Sequence, residues 1–169
     1  MKHLHWLLPN SLLADSLTIM KPQGARGNEG LALWFGSTDG SYAKITHVVE
    51  LAGPGFRTAP QQMYVSLRAM STLTNLAERL GVILIGQIHS HPGRYLDLSN
   101  VDKERGIRSP DYLSVVCPFY AQRKLSGIEE CGVHVFEDRQ FRRMSPGEIS
   151  QRLIMQDTNV VKIKCEVPT

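Results

Sequence analysis

His89-Ser90-His91-Pro92-Gly93-Arg94-Tyr95-Leu96-Asp97-Leu98-Ser99-Asn100-Val101-Asp102 is the stretch around which this chain is organised. It follows an apolar run, Val82-Ile83-Leu84-Ile85-Gly86-Gln87-Ile88, which predicts a buried β-strand. Residues two apart on a strand point to the same face, so His89 and His91 aim their rings the same way. Pro92 lacks a backbone N–H and ends the ladder. After a short loop, Ser99 opens a helix. Ser-x-x-Asp is itself an N-cap pattern, and it places Asp102 in the first turn. Two imidazoles and a carboxylate then converge at the end of a strand. Three such ligands with a fourth position left for water form the open arrangement of a catalytic zinc ion. Each piece alone has a plainer reading, a structural His-x-His and a helix cap. The combination in one short stretch favours the metal.

These residues resemble the JAMM motif of the MPN+ metalloproteases, zinc isopeptidases that remove ubiquitin and ubiquitin-like proteins. That family also carries an upstream glutamate seven residues before a glycine, at the start of an apolar strand. The matching segment here is Glu29-Gly30-Leu31-Ala32-Leu33-Trp34-Phe35-Gly36. The resemblance spans residues from about 10 to about 150, and the small size is most similar to stand-alone prokaryotic members. It implies a single α+β domain over residues 1–169, with a mixed, mostly antiparallel sheet flanked by helices. It implies one Zn2+ on His89, His91 and Asp102. Glu29 is then the general base and later the general acid, and Ser99 donates to the developing oxyanion. The implied reaction is amide hydrolysis after the carboxyl-terminal Gly-Gly of a ubiquitin-like protein, with no covalent intermediate. Small members are often found beside conjugation enzymes, including in bacterial anti-phage systems. Between the ligands, Gly93, Arg94, Tyr95 and Leu96 are placed to meet a substrate tail, with Tyr95 and Leu96 packing on it. Alternatives stay open: a zinc peptidase acting on a sulfur-carrier protein tail, or a scaffold module of the MPN type, against which the intact ligands argue. The His-x-Glu with Pro-Cys-x-x-Cys signature of zinc deaminases is absent.

At 169 residues, one domain with a sizeable core is expected. The net charge is +3, and the basic residues are scattered without interleaved aromatics, so nucleic-acid binding is not expected. Cys117, Cys131 and Cys165 are odd in number and lack Cys-x-x-Cys spacing, which predicts buried free thiols in a reducing compartment. The apolar run near the amino terminus is too short for a signal peptide, and no run approaches membrane-spanning length. A soluble cytoplasmic protein is the expectation.

Along the chain, a helix is predicted from residue 9 to about 19, capped by Asn10 or Ser11, then a polar loop over 21–28. His3-x-His5 has a metal-like spacing without an acidic partner and is assigned to a surface terminus. A strand over 31–35 and a second over 42–51 form a hairpin around Asp39-Gly40. Residues 52–60 are irregular, and 61–80 is the clearest helix. Its predicted inner face is Met63, Leu67, Met70, Leu73 or Thr74, Ala77 and Leu80, with Gly81 at C′. A strand over 112–117 and a hairpin over 132–144 follow, then a helix from Ser145 that carries Ile149, Leu153 and Ile154. His47 and His134 are read as structural. The tail over about 158–169 alternates Val161, Ile163, Cys165 and Val167 with Lys162, Lys164 and Glu166, a half-buried strand. It either joins the sheet or pairs with another molecule.

Overall fold

The run Leu31-Ala32-Leu33-Trp34-Phe35 is apolar at every position because its strand is covered on both faces. Leu31, Leu33 and Phe35 enter one hydrophobic cluster with Val49, Leu51, Ala69, Leu73 and Leu76. Ala32 and Trp34 enter the other, with Trp6, Leu12, Met20, Val48, Ile88 and Val115. The period-2 alternation of a strand thus divides one run between two cores.

The computed structural model describes residues 3–169. In chain order its elements are β1 His5–Pro9, α1 Leu12–Gly24, β2 Leu31–Thr38, β3 Tyr42–Ala52, β4 Phe56–Ala59, β5 Gln62–Val65, α2 Leu67–Leu80, β6 Ile83–Ser90, α3 Asn100–Arg105, β7 Leu113–Cys117, β8 Gly132–Glu137, β9 Gln140–Arg143, α4 Pro146–Arg152, β10 Leu153–Gln156 and β11 Val161–Glu166. Nine strands form one sheet in the order β10-β1-β3-β2-β6-β7-β8-β9, with β11 also on β3. The β4–β5 hairpin stands apart. Antiparallel pairing links β3-β2-β6 and β7-β8-β9. Parallel pairing joins β6 to β7 and brings in the segments at both ends of the chain. Counting the separate β4–β5 hairpin, five of the nine strand pairings are antiparallel, so the pairing is mixed and mostly antiparallel, and the fold is α+β. Among the described residues, no helix is long and apolar enough to cross a membrane.

Several expected elements change. The segment 61–65 is not the start of a helix. Gln62–Val65 pairs with Phe56–Ala59, so the region expected to be irregular holds a hairpin. The helix begins only at Ser66, an extended N-cap whose hydroxyl accepts from Ala69 N at 3.0 Å. Its buried face is Ala69, Leu73 and Leu76, whereas Leu67 is 87% exposed. Gly81 is at the helix end in the left-handed conformation expected of it. Helix α1 runs on to Gly24, because Pro22 lies in the last turn on the exposed side. Ser11 is its N-cap by position, but the hydroxyl accepts from Val160 N at 2.8 Å instead of capping the helix.

Leu153 and Ile154 leave the last helix and form β10. The amino-terminal segment is strand β1, parallel to both β3 and β10. His5 packs its ring on Tyr42, 5.5 Å between centroids. The carboxyl-terminal strand pairs with this chain's own β3, in register from Val161↔His47 to Glu166↔Ala52. At eleven residues, β3 is long enough to hold β1 along its first part and β11 along the rest.

Candidate metal centre

Strand β6 ends at Ser90, and the backbone of His91 continues its line by donating to Cys117 O at 2.9 Å. His89 and His91 are buried and share one side. Their Nε2 atoms are 3.2 Å apart. Asp102 Oδ2 lies 3.5 Å from His89 Nε2 and 3.3 Å from His91 Nε2. A first-row divalent ion such as zinc, bound at about 2.0–2.1 Å with tetrahedral geometry, requires ligand atoms about 3.3 Å apart. The three observed separations match the edges of one such tetrahedron, so the donor set fits a single ion. Among the described residues, His89, His91 and Asp102 are the group of potential ligands that converges in this way.

The electrostatics of the cluster favour positive charge at its centre. Burial alone raises the Asp102 pKa, but hydrogen bonds from His89, His91 and Ser99 outweigh it and hold the carboxyl far below the usual range. Burial alone pulls the His91 imidazole down. Its bond to Asp102, the charges of Glu29 and Asp102, and the Tyr95 carbonyl more than reverse that. A cation held between these groups meets the same demand without a proton.

Asp102 is positioned by a complete capping box. Ser99 Oγ accepts from Asp102 N at 3.1 Å, and Ser99 N donates back to Asp102 Oδ2 at 2.8 Å. The Ser99 hydroxyl also donates to Asp102 Oδ2, at 2.8 Å. The local pattern that predicted the helix start therefore also aims the carboxylate.

Glu29 reaches the site through sheet register. Strands β2 and β6 pair antiparallel with Leu31 opposite His89. Carrying that register on places Gly30 opposite Ser90 and Glu29 opposite His91. Ser90 Oγ accepts from Gly30 N at 2.8 Å, and Ser90 N donates to Gly30 O at 3.1 Å. Sequence reasoning missed Ser90, the residue between the two histidines. The available signal was a hydroxyl at an inward position of an apolar strand. Glu29 is 4% exposed, and its amide donates to Ala59 O at 3.0 Å. Burial pushes its carboxyl up to about 7; the nearby His91 charge lowers it and Asp102 raises it.

The loop between the ligands is pinned at several points. Gly93 O accepts from Phe119 N at 3.0 Å, and Arg94 is exposed. Tyr95 lies parallel to His91, 6.2 Å between centroids, while its carbonyl accepts from His91 Nδ1 at 3.1 Å. Its ring is largely exposed beside the cluster. Leu96 is half-buried against Gly132. Asp97 accepts from Arg143 at 2.7 Å and lies 3.7 Å from His134 Nε2. His134 thus stays outside the ligand group and holds the loop. His47 bonds Thr46 Oγ1 at 2.7 Å. All three cysteines are free and buried.

Gly132 admits this loop. A Cβ there would lie 1.9 Å from Leu96 O, a backbone atom that cannot swing aside. Gly132→Ala is expected to destabilise the fold by about 1–3 kcal/mol through overpacking and to displace the loop. Chemical denaturation checks this, and a variant as stable as the parent would refute the tight contact.

A cleft of about 470 Å3 opens beside Asp102, walled by Leu31, Leu33, Gln87 and Val101 on one side and by Met63 and Met70 on the other. A cavity of about 530 Å3 lies between α1, α4 and the Ile128–Glu130 turn, and it touches none of Glu29, His89, His91, Ser99 or Asp102. The smaller cleft is the one joined to the chemistry.

Fold and site together define an α+β protein with a group of two buried histidines and one aspartate spaced to hold a metal ion. No family model matches the chain. Over 116 residues it is 28% identical to a probable metalloprotease, y4jG, of Sinorhizobium fredii (strain NBRC 101917 / NGR234), covering 68% of this chain and 72% of that one. The solution structure of protein DSY2949 from Desulfitobacterium hafniense aligns with a TM-score of 0.66 at 17% identity, covering 92% of this chain and 94% of the other. The two share the fold.

Proposed function

We propose that this chain is a metal-dependent peptidase of the JAMM type, using zinc to hydrolyse the amide bond after the carboxyl-terminal glycine of a ubiquitin-like protein. The observation that carries this reading is the tetrahedral spacing of His89, His91 and Asp102 with a buried carboxyl, Glu29, two residues before the facing strand. Similarity to a probable metalloprotease supports the peptidase class. The JAMM assignment, the zinc and the substrate rest on the motif residues.

Zinc held by these ligands would lower the pKa of a bound water from about 15.7 to about 7 and polarise the scissile carbonyl. Burial pushes the Glu29 carboxyl up to about 7 in the metal-free protein and a bound cation would draw it lower, so at neutral pH it would accept a proton from the attacking water and carry it to the leaving amine. Ser99 contributes to the oxyanion when its hydroxyl turns away from Asp102, while the Ser99 amide keeps its bond to the carboxylate and holds Asp102 in place. The β4–β5 hairpin and the start of α2 give the cleft a wall with apolar side chains and an open strand edge, suited to an extended tail. In this reading a tail ending in glycines, which carry no side chains, would fit most easily between Glu29 and Ser99. Buried free thiols fit a reducing compartment such as the cytoplasm.

The test compares cleavage of a full-length ubiquitin-like fusion, its Gly→Ala tail variant and a short peptide with the same tail. The fusion is expected to be cleaved fastest, because binding energy from the partner's globular body positions the reacting bond. Equal rates on all three would make the chain a general peptidase and sink the ubiquitin-like assignment.

A further inference from the structure

The two histidines of the metal centre are oriented by different means. His91 Nδ1 lies 3.1 Å from the Tyr95 carbonyl. A carbonyl only accepts, so Nδ1 carries a proton there, and in the neutral ring that ligates a metal the Nε2 lone pair faces the ligand cluster. His89 has a side-chain amide in the corresponding place. Its Nδ1 is 3.5 Å from Gln87 Nε2, and Gln87 Oε1 accepts from the Tyr112 hydroxyl at 3.1 Å. Gln87 is two residues before His89 on β6 and so shares its face. Tyr112 is 2% exposed.

An amide presents nitrogen and oxygen at nearly equivalent positions, and half a turn of the group exchanges them. The two orientations have opposite consequences for His89. With nitrogen facing it, Nδ1 must accept, the ring proton moves to Nε2, and Nε2 cannot bind a metal. With oxygen facing it, Nδ1–H donates and Nε2 is free to ligate. The exchanged amide nitrogen then donates to Tyr112, whose hydroxyl can accept as readily as donate.

We propose that Gln87 is a positioning residue that sets the ligating tautomer of His89, and that Tyr112 in turn orients the Gln87 amide. The inference rests on the metal-site reading above and deepens it. The amide takes the oxygen-inward orientation whenever His89 ligates. Outer partners of this kind raise ligand basicity and fix the ring, and losing one typically costs about 10–100-fold in metal affinity.

Zinc affinity of the full chain, measured by competition with a chromophoric chelator, tests this without any substrate. Gln87→Leu is expected to bind zinc about 10–100-fold more weakly than the parent. Gln87→Glu presents only acceptors to Nδ1–H and is expected to bind at least as tightly as the parent. Tyr112→Phe is expected to fall between the parent and Gln87→Leu. Parent-like affinity in Gln87→Leu would overturn the proposal. So would a Gln87→Glu protein as weak as Gln87→Leu, since a merely structural glutamine would not be rescued by a carboxylate. If Gln87→Leu does not fold, Gln87→Glu decides alone, and weaker binding than the parent refutes the tautomer role. A parent chain that binds no zinc would remove the metal reading and this inference together. Zinc binding unaffected by Gln87 variants would remove only the inference.

Discussion

Glu29→Gln is expected to lower turnover by about 10²–10⁴-fold while leaving the metal content unchanged. The carboxyl is opposite His91 by sheet register and outside the ligand triad, so its amide replacement keeps shape and removes only the base. The parent's kcat/KM should rise with pH and level off at or below about 7, because Glu29 must be ionised and the cation pulls its titration down from the metal-free position. The same residue has a stability signature of definite sign. Its folded pKa of about 7 lies above the ordinary 4.5, so its protonated form favours the fold. That contribution is complete below the ordinary value and is lost as pH rises through about 7, where a buried charge must be tolerated. In chelator-treated protein at pH 8, Glu29→Gln should therefore be more stable than the parent by about 1–3 kcal/mol, with the difference gone near pH 4.5. Urea denaturation at both pH values and a progress curve on the fusion substrate measure the two effects. A variant as fast as the parent would reduce Glu29 to a buried carboxyl without a catalytic part.

Asp102→Ala and His89→Ala are expected to lose the metal and all measurable turnover. Removing either leaves two ligands where the geometry supplies three, and Asp102 also provides the negative charge of the set. Elemental analysis of protein purified at neutral pH without chelator should find about one zinc per chain in the parent and none in the variants. Melting should agree: with free zinc at about 1,000 times its Kd, the parent gains about 4 kcal/mol that chelator removes, whereas the variants do not respond. Asp102→Ala also loses its part of the capping box, so its chelator-treated form should be less stable than the chelator-treated parent. No zinc in carefully prepared parent protein would remove the enzyme reading.

The ligand triad is legible because its information is local. His89 and His91 share a face by strand period alone, and Ser99 and Asp102 identify each other as a cap three residues apart. Paired strands β2 and β3 follow from two apolar, β-prone runs and the Asp-Gly turn between them. The part of Glu29 was reached through family resemblance, since nothing near residue 29 marks it. Pairing of β2 with β6 brings together residues about sixty apart in sequence and supplies the Gly30–Ser90 bonds that hold it. Gln87 and Tyr112 are likewise joined only by the parallel pairing of β6 with the strand that follows Tyr112.

The misread segments share one cause. Residues 61–65 fit a helical stripe or a hairpin arm, and the partner strand 56–59 together with the Ser66 cap settled the choice. Strands β1 and β10 are four or five residues long, and they exist because each lies beside a strand from the far end of the chain. A short strand has no internal hydrogen bonds, so its own residues cannot specify it. By itself the sequence determined the elements whose bonds close within a few residues: the Ser99 and Ser145 helix starts, the central hairpin and the His89, His91 and Asp102 group. Only the tertiary structure decided which strands lie side by side, and with them the placing of Glu29, the anchoring of the His91–Ser99 loop and the cleft beside Asp102, because those contacts form between segments that carry no local mark of one another.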